Sequence, residues 1–239
     1  MGDVRPTLER RQRLRQCLIK GGAEHLPDYE LLQVMLFTSN PRDDVERFVG
    51  ELLERFGSLA EVLSADAEAL AAAGLSLPAI ARVKFVREVA LGFMRAELHD
   101  RPVVGSWDKL IEYCRAAIAY SNVEELHILF LDRKNALIKD ERQQRGTVDH
   151  TPVYTREVIK RALDLGASAL VLVHNHPSGD PSPSAADIAM IREIIRAAAP
   201  LGIAVHDHLI IASGHHISLR DLGMIRSETN NTRKSRVSP

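Results

Sequence analysis

The sequence predicts a mixed α/β (α+β) protein, in which an all-helical N-terminal region is followed by helices surrounding a mixed sheet. Three observations lead to this prediction. The first hundred residues repeat apolar side chains at helical spacing and contain no run typical of a strand. Beyond them, helical segments alternate with short apolar runs bounded by turn residues. The 239-residue chain is 45% hydrophobic and 26% charged, which is ordinary for a globular protein.

The N-terminal region, residues 1–100, is predicted to hold six helices. Pro27-Asp28 is typical of a helix start and Gly57 of a helix end. His99-Asp100-Arg101-Pro102 interrupts the helical pattern, so we expect a domain linker there and a second domain over residues 101–226. The predicted helices cover residues 8–20, 28–36, 41–56, 58–63, 67–73 and 78–97.

The second domain is predicted to alternate helices with strands. A helix at 107–120 is capped by Ser106, and a second helix at 155–165 ends at Gly166. The polar residues 227–239 lack aromatic side chains and are predicted to be disordered. The predicted strands cover 124–131, 136–141, 146–154, 169–173, 203–212 and 217–219, with a turn at 213–216.

Two histidines at the end of a predicted strand form the most informative pattern in the chain. His174-Asn175-His176 directly follows the apolar run 169–173, and side chains at i and i+2 of a strand point to one face. Residues 177–183 are rich in Pro, Gly and Ser and form a loop, after which Asp187 lies in the first turn of a helix. The loop can therefore bring Asp187 against the histidine pair.

Two imidazoles and one carboxylate suit zinc with an open fourth coordination position, which is typical of a catalytic site. Ser184 is placed by its spacing to bring a hydroxyl near the metal, and a carboxylate from elsewhere must act as general base. A second interpretation is that Ser184 and Asp187 only cap the helix N-terminus, and that the histidines are incidental. Both interpretations are open at this point.

The same residues resemble the motif of the JAB/MPN (JAMM) metallopeptidase family. That motif is an upstream Glu, then His-x-His-Pro, six residues, Ser, two residues and Asp; His174-Asn175-His176-Pro177, Ser184 and Asp187 match it without a gap. The residue sequence His-Asn-His-Pro-Ser-Gly-Asp-Pro resembles that of the bacterial RadC-like branch of this family. Further matches are Leu129-Phe130-Leu131-Asp132, Arg156-Glu157-Val158 and Asp207-His208.

The resemblance implies a JAB/MPN metal-binding domain over residues 101–226 and a zinc-dependent peptidase or isopeptidase acting on a peptide or protein. His174, His176 and Asp187 would be the zinc ligands, and Ser184 would stabilise an oxyanion. The general base is the upstream Glu, for which Glu124 and Glu125 compete. RadC-like chains place it eight residues before the Asp that ends the strand, which favours Glu124, whereas strand parity alone does not choose.

The Asp207-His208 pair has two structural interpretations. It either orients a metal ligand or forms a hydrogen-bonded pair at a strand edge.

A DNA-associated role is the alternative function, because the RadC name was attached to DNA repair. Residues 74–81 occupy the place of a helix-hairpin-helix turn, whose backbone amides can approach a phosphate. Here Ser76 stands where RadC-like proteins usually have the second glycine of this turn, and Pro78 lacks a backbone N–H. We therefore interpret the turn mainly as a packing element. The 31 basic and 32 acidic residues give no net field that would attract nucleic acid. Phosphodiester hydrolysis at the metal site is a third possibility.

The composition also bears on the compartment of the protein. Cys17 and Cys114 lie far apart and are predicted to be buried thiols without a disulfide framework. No apolar run approaches the roughly 20 residues needed to span a bilayer. The sequence therefore predicts a cytoplasmic protein with no membrane partner, and it leaves the oligomeric state open.

Overall fold

The computed structural model describes residues 4–21, 26–37, 45–99, 102–146, 154–212 and 214–225. The chain divides into two compact units, Met1–Ala90 and Leu91–Pro239. The division falls inside a helix, upstream of the boundary that the sequence predicts at residue 100. Residues 100–101 of the predicted linker and the predicted disordered tail, 227–239, lie outside the described part of the chain.

The first unit is helical, as the sequence predicts. Pro27 precedes the second helix, and Gly57, with φ of 100°, follows the third. Ser58 caps the fourth helix, because its Oγ accepts the N–H of Glu61 at 3.2 Å. The apolar faces of these helices form one buried core. The helices are α1 (Val4–Gly21), α2 (Asp28–Leu36), α3 (Val45–Phe56), α4 (Leu59–Ser64), α5 (Ala67–Ala72) and α6 (Leu77–His99), of which α6 continues into the second unit.

The second unit is built on a five-stranded mixed sheet in the order β2-β1-β3-β4-β5. Only β3 and β4 are parallel, and the other neighbours are antiparallel. The strands are β1 (Glu124–Leu131), β2 (Leu137–Gly146), β3 (Ala169–Asn175), β4 (Ala204–Ala212) and β5 (His215–Ser218), and the helices are α7 (Trp107–Ile118), α8 (Thr155–Asp164) and α9 (Ala185–Ala198).

Both faces of this sheet are covered, which explains why β3 is buried along its whole length. On one face, Leu129, Val171 and Leu209 pack in a cluster with α7 and the end of α6. On the other, residues of opposite parity, such as Phe130 and Leu172, pack with α8 and α9. Strands buried on both faces read as continuous apolar runs, as β3 does in the sequence.

Several local predictions need correction. His215 and His216 belong to β5 rather than to a turn. Ser106 precedes α7, but its hydroxyl donates to the carbonyl of Pro102 and does not cap the helix. Cys17 is exposed, whereas Cys114 is buried as predicted. The strand predicted at 146–154 falls mostly outside the described residues, and Gly146 is the last residue of β2.

Candidate metal centre

The register between β1 and β3 decides which side chains of β1 face the histidine pair. Leu126 lies opposite His174 in this antiparallel ladder. Directly opposite residues point to the same face, so Glu124, two residues before Leu126, shares that face. Continued by two residues, the register sets Glu124 across from His176. The glutamate favoured by the resemblance is therefore the one that the fold directs toward the histidines.

Glu125 points to the other face and is engaged there. Its carboxylate accepts from Ser121 Oγ at 3.1 Å, lies 3.5 Å from His127 Nε2 and is 3.6 Å from the Arg142 guanidinium. Burial alone would raise the pKa of Glu125, but the hydrogen bonds from His127 and Ser121 and the charge of Arg142 lower it overall. This glutamate stabilises the fold and stays outside the candidate site.

The carboxyl end of β3 delivers the two histidines. His174 is 2% exposed, and His176 follows the strand with its N–H donating to the carbonyl of Ile211 at 2.8 Å. The two Nε2 atoms are 2.9 Å apart. The loop that follows turns back through Gly179, whose φ of 87° is in the left-handed region that favours glycine.

Asp187, in the first turn of α9, is the third candidate ligand and lies against the histidine pair. Ser184 and Asp187 form a capping box: Ser184 Oγ accepts the Asp187 N–H, and Asp187 Oδ2 accepts the Ser184 N–H at 2.8 Å. The Ser184 hydroxyl also donates to Asp187 Oδ2 at 2.7 Å. Asp187 Oδ1 lies 3.4 Å from His174 Nε2. The capping interpretation is thus correct for these two residues, but it also aims the carboxylate at the histidines.

Glu124, His174, His176 and Asp187 form a group able to hold a metal ion, and they are the one such group among the residues that the structure describes. One ligand atom from each lies within 4.8 Å of the others. Tetrahedral zinc with bonds of roughly 2.0–2.1 Å separates its ligand atoms by about 3.3 Å. The separations of 2.9, 3.4 and 3.8 Å among the histidines and Asp187 bracket that value. The donor set and its spacing therefore fit a metal ion with bonds of this length, of which zinc is one candidate.

Hydrogen bonds to the outer ring nitrogens orient both imidazoles. His176 Nδ1–H donates to the carbonyl of Asp180 at 2.7 Å, which leaves Nε2 of the neutral ring as a lone-pair donor. His174 Nδ1 lies 2.7 Å from Nε2 of the buried His208. Asp207 instead accepts from Ser218 Oγ and from the backbone N–H of His208. Of the predicted Asp207-His208 pair, only His208 contacts a candidate ligand.

The pKa shifts favour neutral rings for His174 and His208 and a raised pKa for the Glu124 carboxyl. Burial, opposed by the negative charge of Asp187 and supported by the neighbouring His176, lowers the pKa of His174 to about 4. Burial also places the pKa of His208 well below its usual range. Burial and the negative charge of Asp187 raise the pKa of Glu124, whereas His176 lowers it. Neutral imidazoles are the form that binds metal.

One feature beside the site and another on the opposite face of the sheet were not predicted from the sequence. Asn175 is fully buried, and its amide bonds to the segment that leads into β1. Its position between two histidines was the available signal. The second feature is a buried network on the opposite face, in which His127 Nδ1 contacts Asp140 at 2.9 Å and Tyr113 donates to the same carboxylate. No residue spacing in the sequence signals that network.

Comparison with known families agrees with this architecture. A family model described as "RadC-like JAB domain" matches residues 104–224, so the chain belongs to the RadC-like JAB domain family. It is 50% identical over 213 residues to a UPF0758 protein of Rhodobacter capsulatus, covering 89% of this chain and 100% of that relative. It is 49% identical over 218 residues to a UPF0758 protein of Ruegeria pomeroyi, covering 91% and 97%. Within the described ranges, no helix is both long enough and apolar enough to cross a bilayer.

Proposed function

We propose that this protein is a zinc-dependent hydrolase that cleaves an amide bond, as a peptidase or isopeptidase. The observation that carries the proposal is the convergence of Glu124 with His174, His176 and Asp187 from three separate elements. These are the residue types that a single-metal hydrolase needs, namely neutral imidazoles, a ligand carboxylate and a second carboxylate for proton transfer.

In this proposal the cation is held by Nε2 of His174, Nε2 of His176 and the Asp187 carboxylate. Bound zinc supplies Lewis acidity, which polarises a carbonyl and makes water more acidic. His208 and the Asp180 carbonyl keep the two rings turned toward the ion through their contacts with the Nδ1 atoms. The Ser184 hydroxyl and N–H hold Asp187 Oδ2 in the same way.

Glu124 is proposed to move the proton. Burial raises the pKa of Glu124, and its carboxylate lies beside the candidate ligands, so it is placed to accept a proton from water. The protonated carboxyl then gives that proton to the departing amine. Glu124 is only partly buried, so the site has a side open to solvent from which a substrate can approach.

Ser184 is proposed to stabilise the oxyanion, as the resemblance implies. A hydroxyl has one proton, and here that proton goes to Asp187 Oδ2. Donation to an oxyanion therefore requires the hydroxyl to rotate away from Asp187, while the Ser184 N–H continues to hold the carboxylate.

The set of candidate metal ligands favours hydrolysis of an amide over hydrolysis of a phosphodiester. Many nucleases and phosphatases use two metal ions about 4 Å apart. Within the described residues there is one group able to hold a metal ion. A single ion with one proton-transferring carboxylate is instead the arrangement of zinc peptidases.

The hairpin between α5 and α6 does not favour DNA binding, because backbone amides in it are already hydrogen-bonded. The N–H of Gly74 donates to Ala71 at 2.9 Å, and the N–H of Leu75 donates to Leu70 at 3.1 Å. These bonds close the end of α5, as in other glycine-terminated helices. Two of the amides that a phosphate would need are therefore already used.

The test is cleavage of a peptide library, followed by mass spectrometry, with zinc-loaded full-length protein. Glu124→Gln should retain zinc and lower cleavage by about 10²-fold or more, because it removes the proton acceptor. Glu125→Gln is the matched control, since the neighbouring side chain faces away, and its cleavage should stay close to that of the wild type. His174→Ala should lose zinc. Cleavage of DNA but not of peptides, or a fully active Glu124→Gln variant, would refute the proposal.

A further inference from the structure

We propose that Asn175 is a positioning residue that holds Glu124 in place, by anchoring the chain segment 121–125 to the strand that carries the histidines. The inference rests on the proposed function for the role of Glu124. It concerns a residue whose side chain does not belong to the metal-binding group.

The Asn175 amide makes three hydrogen bonds to the backbone of one short segment. Its Oδ1 accepts the N–H of Glu125 at 2.8 Å, and its Nδ2 donates to the carbonyls of Ser121 at 3.2 Å and Val123 at 3.0 Å. The side chain is 0% exposed. Three of its four hydrogen-bonding positions are therefore used on the residues that lead into β1 and flank Glu124.

These side-chain bonds take the place of the backbone pairing between β1 and β3, which ends before it reaches this segment. The backbone pairing of β1 with β3 reaches Leu126 and His174 and stops there. Asn175 pairs through its backbone with Ile211 of β4, and the His176 N–H also donates to Ile211. The next antiparallel pair would set Glu125 against Asn175, and the amide side chain makes the contact at that place.

The side chain of Asn175 acts from the face opposite the candidate metal ligands. Alternation along β3 sends His174 to the face of α8 and α9 and its neighbour to the other face, where Glu125 also points. Asn175 therefore reaches Glu124 only through the backbone on either side of that residue. Because a misplacement of about 1 Å of a reacting group lowers catalysis by about 10²-fold, a fixed backbone here matters for proton transfer.

Asparagine is the side chain that fits these three partners. An aspartate has the same shape and still accepts the Glu125 N–H, but it presents an oxygen to the carbonyls of Ser121 and Val123. An alanine removes all three bonds. The two substitutions therefore separate the loss of all three bonds from the loss of the two donors alone, with an acceptor retained for Glu125.

The experiment compares Asn175→Ala and Asn175→Asp in the full chain with Asp132→Ala as the matched control. Asp132 Oδ1 accepts the N–H groups of Lys134 and Ala136, both at 2.8 Å, so it is a side-chain anchor beyond the opposite end of β1. The readouts are hydrogen exchange of the Glu125 amide, zinc affinity by chelator competition, the crystal structure of the zinc-loaded variant, and kcat for peptide cleavage.

In Asn175→Ala we expect exchange of the Glu125 amide to be faster by about 10-fold or more, because its acceptor is gone. The Glu124 carboxylate should move by about 1 Å relative to the histidines, and kcat should fall by about 10²-fold. Zinc affinity should stay within about threefold of the wild type, since all three ligands remain. Asn175→Asp should keep an acceptor for the Glu125 amide, but its buried carboxylate faces two carbonyls, so kcat should fall at least as far as in Asn175→Ala. Asp132→Ala should leave these readouts unchanged.

Three results would overturn the inference: an unchanged Glu125 amide, an unmoved Glu124 carboxylate, or a loss of zinc as large as that of His174→Ala. The last result would mean that Asn175 only builds the ligand strand. If the wild type cleaves no peptide, the proposed function fails, but the exchange rates and the crystal structure still decide whether Asn175 anchors the segment.

Discussion

Replacing His127 with glutamine should remove a pH dependence of stability that this imidazole gives to the second unit. Burial alone would lower the pKa of His127, but hydrogen bonds and negative charges from Asp140 and Glu125 raise it from 6.5 to about 9. The ring is 16% exposed, so solvent screens these partners only weakly. His127 is therefore a cation at neutral pH, held between two carboxylates.

The magnitude follows from the linkage between proton binding and folding. One pKa unit corresponds to about 1.4 kcal/mol, so a rise from 6.5 to about 9 contributes about 3 kcal/mol, as an order of magnitude. Because the pKa is raised in the folded state, this stability is fully present below pH 6.5 and is lost as the pH rises through 9. The lowered pKa of Asp140 reflects the same interaction and is not counted again.

Urea unfolding followed by fluorescence is the assay, since Trp107 is the only tryptophan of the chain and packs against the core of the second unit. The stability difference between wild type and His127→Gln should shrink by about 3 kcal/mol between pH 6 and pH 9.5. Groups with lowered pKa values, such as His174 and His208, titrate in both proteins and cancel. Parallel stability profiles of the two proteins would refute the assignment of a cationic His127.

Three further predictions concern the site and its support. His208→Ala should weaken zinc binding by about 10- to 100-fold, because His208 orients the His174 ring; chelator competition measures this, and equal affinities would contradict it. Ser184→Ala should lower the free energy of unfolding by about 1 kcal/mol through loss of the helix cap, and urea unfolding showing no change would rule out that cap. Phe130→Ala should lower it by about 3–5 kcal/mol, since Phe130 is 0% exposed, whereas the control Leu163→Ala, 54% exposed, should stay within about 0.5 kcal/mol.

Elements with a clear apolar period were predictable from the sequence. The bounds predicted for α2 and β1, 28–36 and 124–131, are those observed, because turn residues and capping signals mark their ends. The strand β2 was predicted too short, at 136–141. It is an edge strand made largely of charged and polar residues, so burial imposes no alternation that could reveal its second half.

The turn before β5 was predicted too long for a related reason. Ser213-Gly214-His215-His216 contains polar residues throughout, which is typical of a loop. The pairing of Ala212 with His215 instead places both histidines in β5. The start of this strand is fixed by its pairing with β4, which composition does not reveal.

The candidate ligands were predictable because they lie within one short motif. The alternation of side chains along β1 could not by itself decide between Glu124 and Glu125. It becomes decisive only when the pairing of β1 with β3 is known. The contact of His208 with His174 likewise depends on β4 lying beside β3. The sequence reveals candidate ligands that lie together in one segment. Which segments become neighbours is decided by the pairing of strands in the sheet.

The central position of β3 has a consequence for how the protein would respond to chelators. The strand that carries His174 is enclosed by two strands on either side and by apolar layers on both faces, none of which needs an ion for its cohesion. Zinc fingers unfold when stripped of metal, because their cores are too small to persist alone. Here EDTA should abolish catalysis while circular dichroism records an intact domain, so that re-addition of zinc restores turnover without a refolding step.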